Sequence, residues 1–349
     1  MKVLVVTSGV PFIRGGAEIL AENLCQALSS AGHAAELIFI PFKHYPPSRI
    51  PDHILACRLL DLTESCGVRI DRMIGLKFPA YLIPHPNKAI WLLHQHRTAY
   101  ELWDHPIAED LIHYPDGPVV REAIRQADRE LIPEAKTVYA QCRNVADRLR
   151  RFCGITVESL YSPPADASLF HSGSSGDYFF FPSRVTGVKR QLLVIEALAR
   201  CQERTMVRFA GEADSPRELA ACVEAIRQLK VEDRVEWLGW ISEEQKRELY
   251  ANCLGVVFPP ADEDYGYITL EAMLSSKPVI TCSDSGGPLE FVVDRQTGLV
   301  ADPTPESLAR ALDTLWAGRR GAVAMGQAGR ARYADLKISW DNVVEKLLC

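Results

Sequence analysis

Two cations and two carboxylates in the second half of the chain have the spacing of a site for a phosphorylated, hydroxyl-rich ligand. Arg184 and Lys189 stand five positions apart around a glycine, in Arg184-Val185-Thr186-Gly187-Val188-Lys189-Arg190. Cations so placed can clamp a diphosphate without a metal, although a solvated basic turn would have the same composition. Glu263 and Glu271 stand eight positions apart in Glu263-Asp264-Tyr265-Gly266-Tyr267-Ile268-Thr269-Leu270-Glu271. Carboxylates are good acceptors for paired hydroxyls, and amides around Gly266 could meet phosphate. The plainer alternative is that Glu271 only favours its helix dipole and Glu263 is surface charge. In the first half, Arg14-Gly15-Gly16-Ala17-Glu18 opens a helical pattern. Its glycines would let backbone amides approach an anion at a helix N-terminus, or would serve a tight turn that needs positive φ. His94 and His96 end a strand-like run, where a period of two points both the same way. They could contact substrate hydroxyls or be structural; a metal would need a third ligand, and none is apparent. Ser283-Asp284-Ser285-Gly286-Gly287-Pro288 is another Gly-rich loop after a strand.

Such loops need a scaffold that gathers strand ends. Lys2 to Val6 is a continuous apolar run, the pattern of a strand buried on both faces of a parallel sheet. Ala17, Leu20, Ala21, Leu24, Ala27 and Leu28 then recur at helical spacing, Gly32 suits a C-cap, and Leu37 to Ile40 is the next strand. Strand, Gly-rich turn, helix and strand make a right-handed βαβ unit. The pattern continues as helix over 54–65, strand over 89–93, helix over 119–133, strand over 137–140 and a basic amphipathic helix to Phe152. Tyr161-Ser162-Pro163-Pro164 and Ser172-Gly173-Ser174-Ser175-Gly176 break structure and read as flexible. Strands over 178–181, 206–210, 235–238, 255–258 and 278–281 then alternate with helices over 191–201, 216–229, 243–252, 269–275 and 305–317. The loops within residues 49–116 are too irregular to read. The whole predicts an α/β chain of two doubly wound domains, with ligands at the C-terminal ends of strands in an interdomain cleft.

The 349 residues suit two domains, and 47% hydrophobic with 24% charged residues excludes bulk disorder. A net charge of −6 argues against a nucleic-acid partner, although Arg143, Arg148, Arg150 and Arg151 form a local basic cluster. The ten cysteines show no C-x-x-C pair and no zinc-like spacing with histidine. They read as small buried hydrophobes of a reducing compartment, and no metal site is expected. No apolar run of 18 residues and no signal-like start is present, so a cytoplasmic protein is expected, with peripheral contact at the inner face of a membrane left open. No G-x-G-x-x-G follows the first strand, which disfavours a dinucleotide-dependent oxidoreductase.

The series of motifs resembles the retaining GT-B glycosyltransferases of family 4 type, the glycosyl transferases group 1. The likeness runs through Arg184-x4-Lys189, Leu238-Gly239, Glu263 to Gly266 with Glu271-Ala272-Met273, Lys277-Pro278-Val279-Ile280, Ser285-Gly286-Gly287-Pro288-Leu289-Glu290 and Thr297-Gly298-Leu299-Val300. In the first half Gly15-Gly16-Ala17-Glu18 is similar to the family's N-terminal Gly loop, and 139–154 to its strand and helix before the domain crossover. Three places depart from the pattern. Asp264 stands for the first Gly of the usual EGFG, Arg190 for the Gly after the lysine, and Ser275-Ser276 for a small residue and Gly.

The resemblance implies two Rossmann-like domains facing across a cleft. Residues 1–165 would be the acceptor-side domain, 166–176 a linker, 177–330 the nucleotide-sugar donor domain, and 331–349 a C-terminal helix that could cross back to the first domain. It implies a retaining, metal-independent hexosyl transfer from a nucleoside-diphosphate sugar, a co-substrate rather than a cofactor, to an unidentified acceptor (glycan, lipid or small molecule). Acceptor choice would lie in the loops within residues 49–116. Arg184 and Lys189 would hold the diphosphate, Glu271 the ribose hydroxyls and Glu263 the hydroxyls of the transferred sugar. Amides of Gly266 and Tyr267 would approach the sugar or phosphates, with Tyr265 in the same donor-binding loop. Gly15 and Gly16 would face them, His96 or else His94 would be the active-site histidine, and Gly239 within 237–240 would lie near the base. A nucleotide-sugar epimerase or hydrolase on the same fold, or a non-catalytic binding protein, are the alternatives.

Overall fold

A computed structural model describes residues 1–349 except 11, 13, 14 and 106–110. It forms two compact units, 1–165 with 338–349 and 166–337. In the first unit β1 (Lys2–Gly9), α1 (Gly16–Ser30) and β2 (Ala34–Pro41) make the βαβ start. Then come α2 (Ile50–Leu59), the hairpin β3 (Glu64–Ser65) and β4 (Val68–Arg69), β5 (Arg72–Lys77) and β6 (Lys88–His94). α3 (Gly117–Leu131), β7 (Thr137–Ala140), α4 (Arg143–Cys153) and β8 (Glu158–Ser159) complete the sheet, whose order is β2-β1-β5-β6-β7-β8 with every pair parallel. β1 is buried along almost its whole length because helices cover both faces of a parallel sheet. The face of α1 that meets the sheet carries Leu20, Ala21, Leu24 and Leu28.

The second unit holds β9 (Phe179–Pro182), α5 (Gln191–Leu198), β10 (Val207–Ala210), α6 (Pro216–Leu229), β11 (Val235–Trp237), α7 (Glu243–Asn252) and β12 (Gly255–Val257). α8 (Tyr267–Leu274), β13 (Val279–Cys282), α9 (Pro288–Phe291), β14 (Gly298–Ala301), α10 (Pro305–Ala317) and α11 (Arg319–Asp335) follow. Its parallel sheet runs β11-β10-β9-β12-β13-β14, so the strand order reverses between β9 and β12. That reversal is where an open α/β sheet leaves room for a ligand beyond the strand ends.

Four expectations change. The helix expected over 54–65 is Ile50–Leu59, because Glu64–Ser65 belongs to a hairpin, and β5 in the unreadable stretch is a central strand. β5 was hidden because its first residue is Arg72, here buried and bonded to Asn87 and Thr137. The Ser/Gly stretch over 172–176 is fixed to the second unit. Gly173 and Gly176 donate to the Ala251 and Asn252 carbonyls (both 2.9 Å), and Lys277 donates to the Ser174 carbonyl (3.1 Å). The helix expected over 331–349 is the end of α11 and a separate α12 (Trp340–Leu348), whose Trp340 ring stands edge-on to Trp91 within the first unit. The basic cluster is divided, with Arg143, Arg150 and Arg151 exposed and Arg148 turned inward. Arg148 is buried on Glu101 (3.1 Å), and Arg150 pairs with Asp147 (2.9 Å).

Candidate active site in the second unit

The β9 and β12 loops meet at the strand-order reversal. After β9 the chain bridges Val185 to Ala213, which brings Arg184 beside Asp214; its guanidinium donates to both carboxylate oxygens (2.8 and 2.9 Å). The Arg184 side chain remains 57% exposed. Lys189 lies deeper, at 16%, and its ammonium donates to the Glu263 carboxylate. The Phe258 ring beneath it (5.4 Å) keeps the ammonium against an apolar wall. One of the expected phosphate cations and the expected sugar carboxylate are therefore direct neighbours, although 74 positions separate them in sequence.

Glu263 is held by its backbone. Its amide donates to the Ser285 carbonyl (2.9 Å) and its carbonyl accepts from Gly287 (2.8 Å), so the loops after β12 and β13 run side by side. The close approach needs Gly287, where a Cβ would stand 2.4 Å from the Asp264 carbonyl oxygen. Gly287→Ala should destabilise the unit by about 1–3 kcal/mol, the usual range for overpacking. Urea denaturation would show it, and an unchanged midpoint would refute the fit. Gly266 caps α8 at φ 79, a left-handed conformation that suits glycine. Tyr265 beside it is buried, its ring edge-on to Tyr267 (4.8 Å) and Phe291 (5.5 Å).

Six of the eight residues of α8 are buried, Glu271 among them. A carboxylate in so apolar a helix needs partners. The Tyr250 hydroxyl donates to it (2.7 Å), and so does the Lys246 ammonium (3.2 Å); both come from α7. Burial works against the Lys246 charge, but Glu271 and Glu243 beside it prevail and hold the ammonium above the usual lysine range. Burial, then Glu271, pushes the Tyr250 phenol far up, so it remains a donor. After β11, Gly239 (φ 64) accepts from the Gly211 amide (2.7 Å); Trp237 stacks on Phe209 (5.0 Å) while Trp240 is 72% exposed.

In the first unit Gly15 and Gly16 sit at the N-terminus of α1, and Arg14 lies outside the described residues. Gly15 is extended (φ −134), and neither glycine has positive φ, so the tight-turn alternative does not apply. The Gly15 amide is already bonded to Glu18 (2.9 Å), while nothing lies within 4 Å of a Cβ on Gly16. His94 ends β6, whereas His96 lies beyond it, so the period-of-two argument for a shared direction fails. The His96 ring packs on Phe42 (5.9 Å) and Phe78 (5.5 Å) with Thr98 at 3.2 Å from Nε2. Burial, then His44 and His94, pushes its imidazole down to about 3, so it is neutral at pH 7. Among the described residues no group of three or more His, Cys, Asp or Glu is placed to hold a metal ion.

Sequence reading missed the partners. Asp214, Lys246 and Tyr250 carry no local motif, and nothing in the two loops that hold Arg190 and Asp284 pairs them; each of these residues meets its partner across 21 to 94 positions. It also missed Asp128, fully buried on α3, which accepts from Tyr81 (2.8 Å), Gln95 (2.8 Å) and Tyr100 (2.7 Å) and so anchors the residue next to His96. The signal for Asp128 was its place on the apolar stripe of an otherwise amphipathic helix.

Two parallel, doubly wound sheets, the second with the order of a nucleotide-binding fold, make this a GT-B architecture. Residues 171–332, nearly all of the second unit, match the family model of glycosyl transferases group 1. An Alpha-1,3/1,6-mannosyltransferase ALG2 from Dictyostelium discoideum is 37% identical over 146 residues, covering 40% of this chain and 34% of that protein. The Mus musculus protein of the same description is 34% identical over 122 residues, 35% of this chain and 29% of its own. The chain thus spans only about a third of the length of the curated relatives it matches. A sucrose-phosphate synthase from Thermosynechococcus elongatus has a TM-score of 0.79 at 16% identity, covering 99% of this chain and 97% of that one. Anabaena Alr3699/HepE in complex with UDP-glucose has a TM-score of 0.73 at 16% identity, covering 99% and 98%. Among the described residues no helix is long and apolar enough to cross a membrane.

Proposed function

We propose that the chain transfers a hexosyl group, with retention at the anomeric carbon, from a nucleoside-diphosphate sugar to an acceptor hydroxyl. The observation that carries this reading is the Lys189–Glu263 pair at the reversal of the β9–β12 strand order, with buried Glu271 on the adjoining helix. As the glycosidic bond breaks, negative charge grows on the departing diphosphate. In this reading Lys189 and Arg184 supply the cations that meet it, and Lys189, lying deeper, acts in a lower dielectric. Glu263, drawn to Lys189, accepts from hydroxyls of the transferred sugar, and Glu271 accepts from the ribose. Neither is assigned as nucleophile; the departing phosphate oxygen takes the acceptor proton on the same face of the sugar. His96 of the first unit carries an imidazole that burial keeps neutral at pH 7, so it is assigned no general-acid role. The names of the relatives put mannosyl donors first in any donor panel.

A protein whose diphosphate charge is met by Lys189 and Arg184 should not need a divalent ion. Turnover is expected to persist in excess EDTA. Activity that disappears and returns with magnesium or manganese would contradict the assignment. The test of the reaction itself is acceptor-dependent release of a nucleoside diphosphate, with the anomeric configuration of the product read by NMR.

A further inference from the structure

Arg190 follows the two expected phosphate cations, yet it points elsewhere. Its guanidinium makes two parallel bonds to Asp284, each 2.7 Å, in the loop after β13. To do so it adopts φ 60, ψ 41 at the start of α5, a left-handed conformation that disfavours a side chain. The Arg190 side chain is 16% exposed, and the fork geometry is the one that fixes a carboxylate most firmly. Asp284 in turn accepts from the Asp262 amide through its carbonyl (2.9 Å), and the next residue, Ser285, accepts from the Glu263 amide (2.9 Å). One chain of contacts therefore links the Arg184–Lys189 loop to the backbone that carries Glu263. Lys189 closes the ring from the other side by its bond to the Glu263 carboxylate.

We propose that Arg190, through Asp284, is a positioning residue that sets the place of Glu263 relative to Lys189 and so the fit of the sugar-bearing end of the donor. The inference rests on the proposed function for the identity of the ligand, but the loop coupling does not. Arg190 acts through Asp284, to which both of its terminal nitrogens are bonded. Arg190→Gly removes the pair while it relieves the left-handed backbone conformation, so the variant is expected to stay folded.

Arg190→Gly, Asp284→Asn, the double variant and Arg190→Lys would be compared with the wild type. Amide hydrogen exchange at Asp262 and Glu263 reads the loop directly. Calorimetric titration with UDP, GDP and their glucose and mannose conjugates reads the ligand. Exchange at both amides should speed up in Arg190→Gly and Asp284→Asn. Affinity for the sugar conjugate should fall on the order of tenfold while the bare diphosphate changes little, because only the sugar end is displaced. The double variant should be no worse than either single one, and Arg190→Lys should recover part of the loss, since both act through one contact. Unchanged exchange, or an equal loss of the bare diphosphate, would overturn the inference and leave the proposed function standing. A wild type that binds neither nucleotide nor conjugate would overturn the proposed function instead, with exchange still deciding the coupling.

Discussion

Replacing Lys189 with alanine is expected to lower transfer more than any other single change, on the order of 1000-fold in kcat/KM. Removing one preorganised donor from a developing oxyanion typically costs about 3–4 kcal/mol when the site is shielded from water. Lys189 meets that condition, with a 16% exposed side chain over the Phe258 ring. Its loss also leaves the Glu263 carboxylate without its cation, close to where the diphosphate charge grows. Arg184→Ala should cost less, roughly 100-fold, because the guanidinium is 57% exposed and solvent screens its charge. Both side chains sit on loops rather than in the core, so urea midpoints should barely move. Steady-state kinetics on folded variants checks the ranking. Full activity in Lys189→Ala would remove the diphosphate assignment.

The second large effect is a division of labour between the two carboxylates. Glu271 is buried on α8 with Tyr250 and Lys246 donating to it, so its position is fixed before any ligand arrives. Glu263 is on a loop, held by Ser285 and Gly287 through its backbone. They should therefore reach different ends of one extended donor. A charge-assisted bond to a hydroxyl is worth roughly 1.5–3 kcal/mol, about 10- to 150-fold in affinity. Glu271→Gln should weaken the bare nucleoside diphosphate and the intact donor alike. Glu263→Gln should spare the bare diphosphate and weaken only the sugar-bearing form. Calorimetry with both ligands and both variants decides it; equal losses of the bare diphosphate would reverse the orientation assigned to the donor.

Local patterns carried the sheets. Lys2 to Val6 and the β9 run of phenylalanines are apolar because both faces of a parallel strand are covered, and such runs are legible in one dimension. β5 was not legible, because Arg72 at its start is charged and finds its partners, Asn87 and Thr137, only in the folded unit. The site residues split the same way. Arg184, Lys189, Glu263 and Glu271 stand in motifs with recognisable spacing. Asp214 and Tyr250 do not, since nothing near Tyr250 in sequence says that a buried carboxylate will arrive from a helix 21 positions away. The Ser/Gly stretch over 172–176 misled for a related reason. Its composition reports backbone freedom, while its amides and carbonyl are fixed by α7 and Lys277. The Arg143 to Arg151 cluster counted as charge in sequence, yet Arg148 is turned inward onto Glu101.

Thermal unfolding in the presence of a panel of nucleotide sugars tests the central claim most directly, before any acceptor is known. A ligand present at a hundred times its Kd stabilises the folded state by about 2.7 kcal/mol. For a unit of this size that raises Tm by roughly 5–10 °C. One nucleoside-diphosphate sugar, and its bare nucleoside diphosphate to a lesser degree, should produce that shift in the wild type, and Lys189→Ala should abolish most of it. A panel in which no nucleotide sugar raises Tm, or a shift that survives undiminished in Lys189→Ala, would contradict the account.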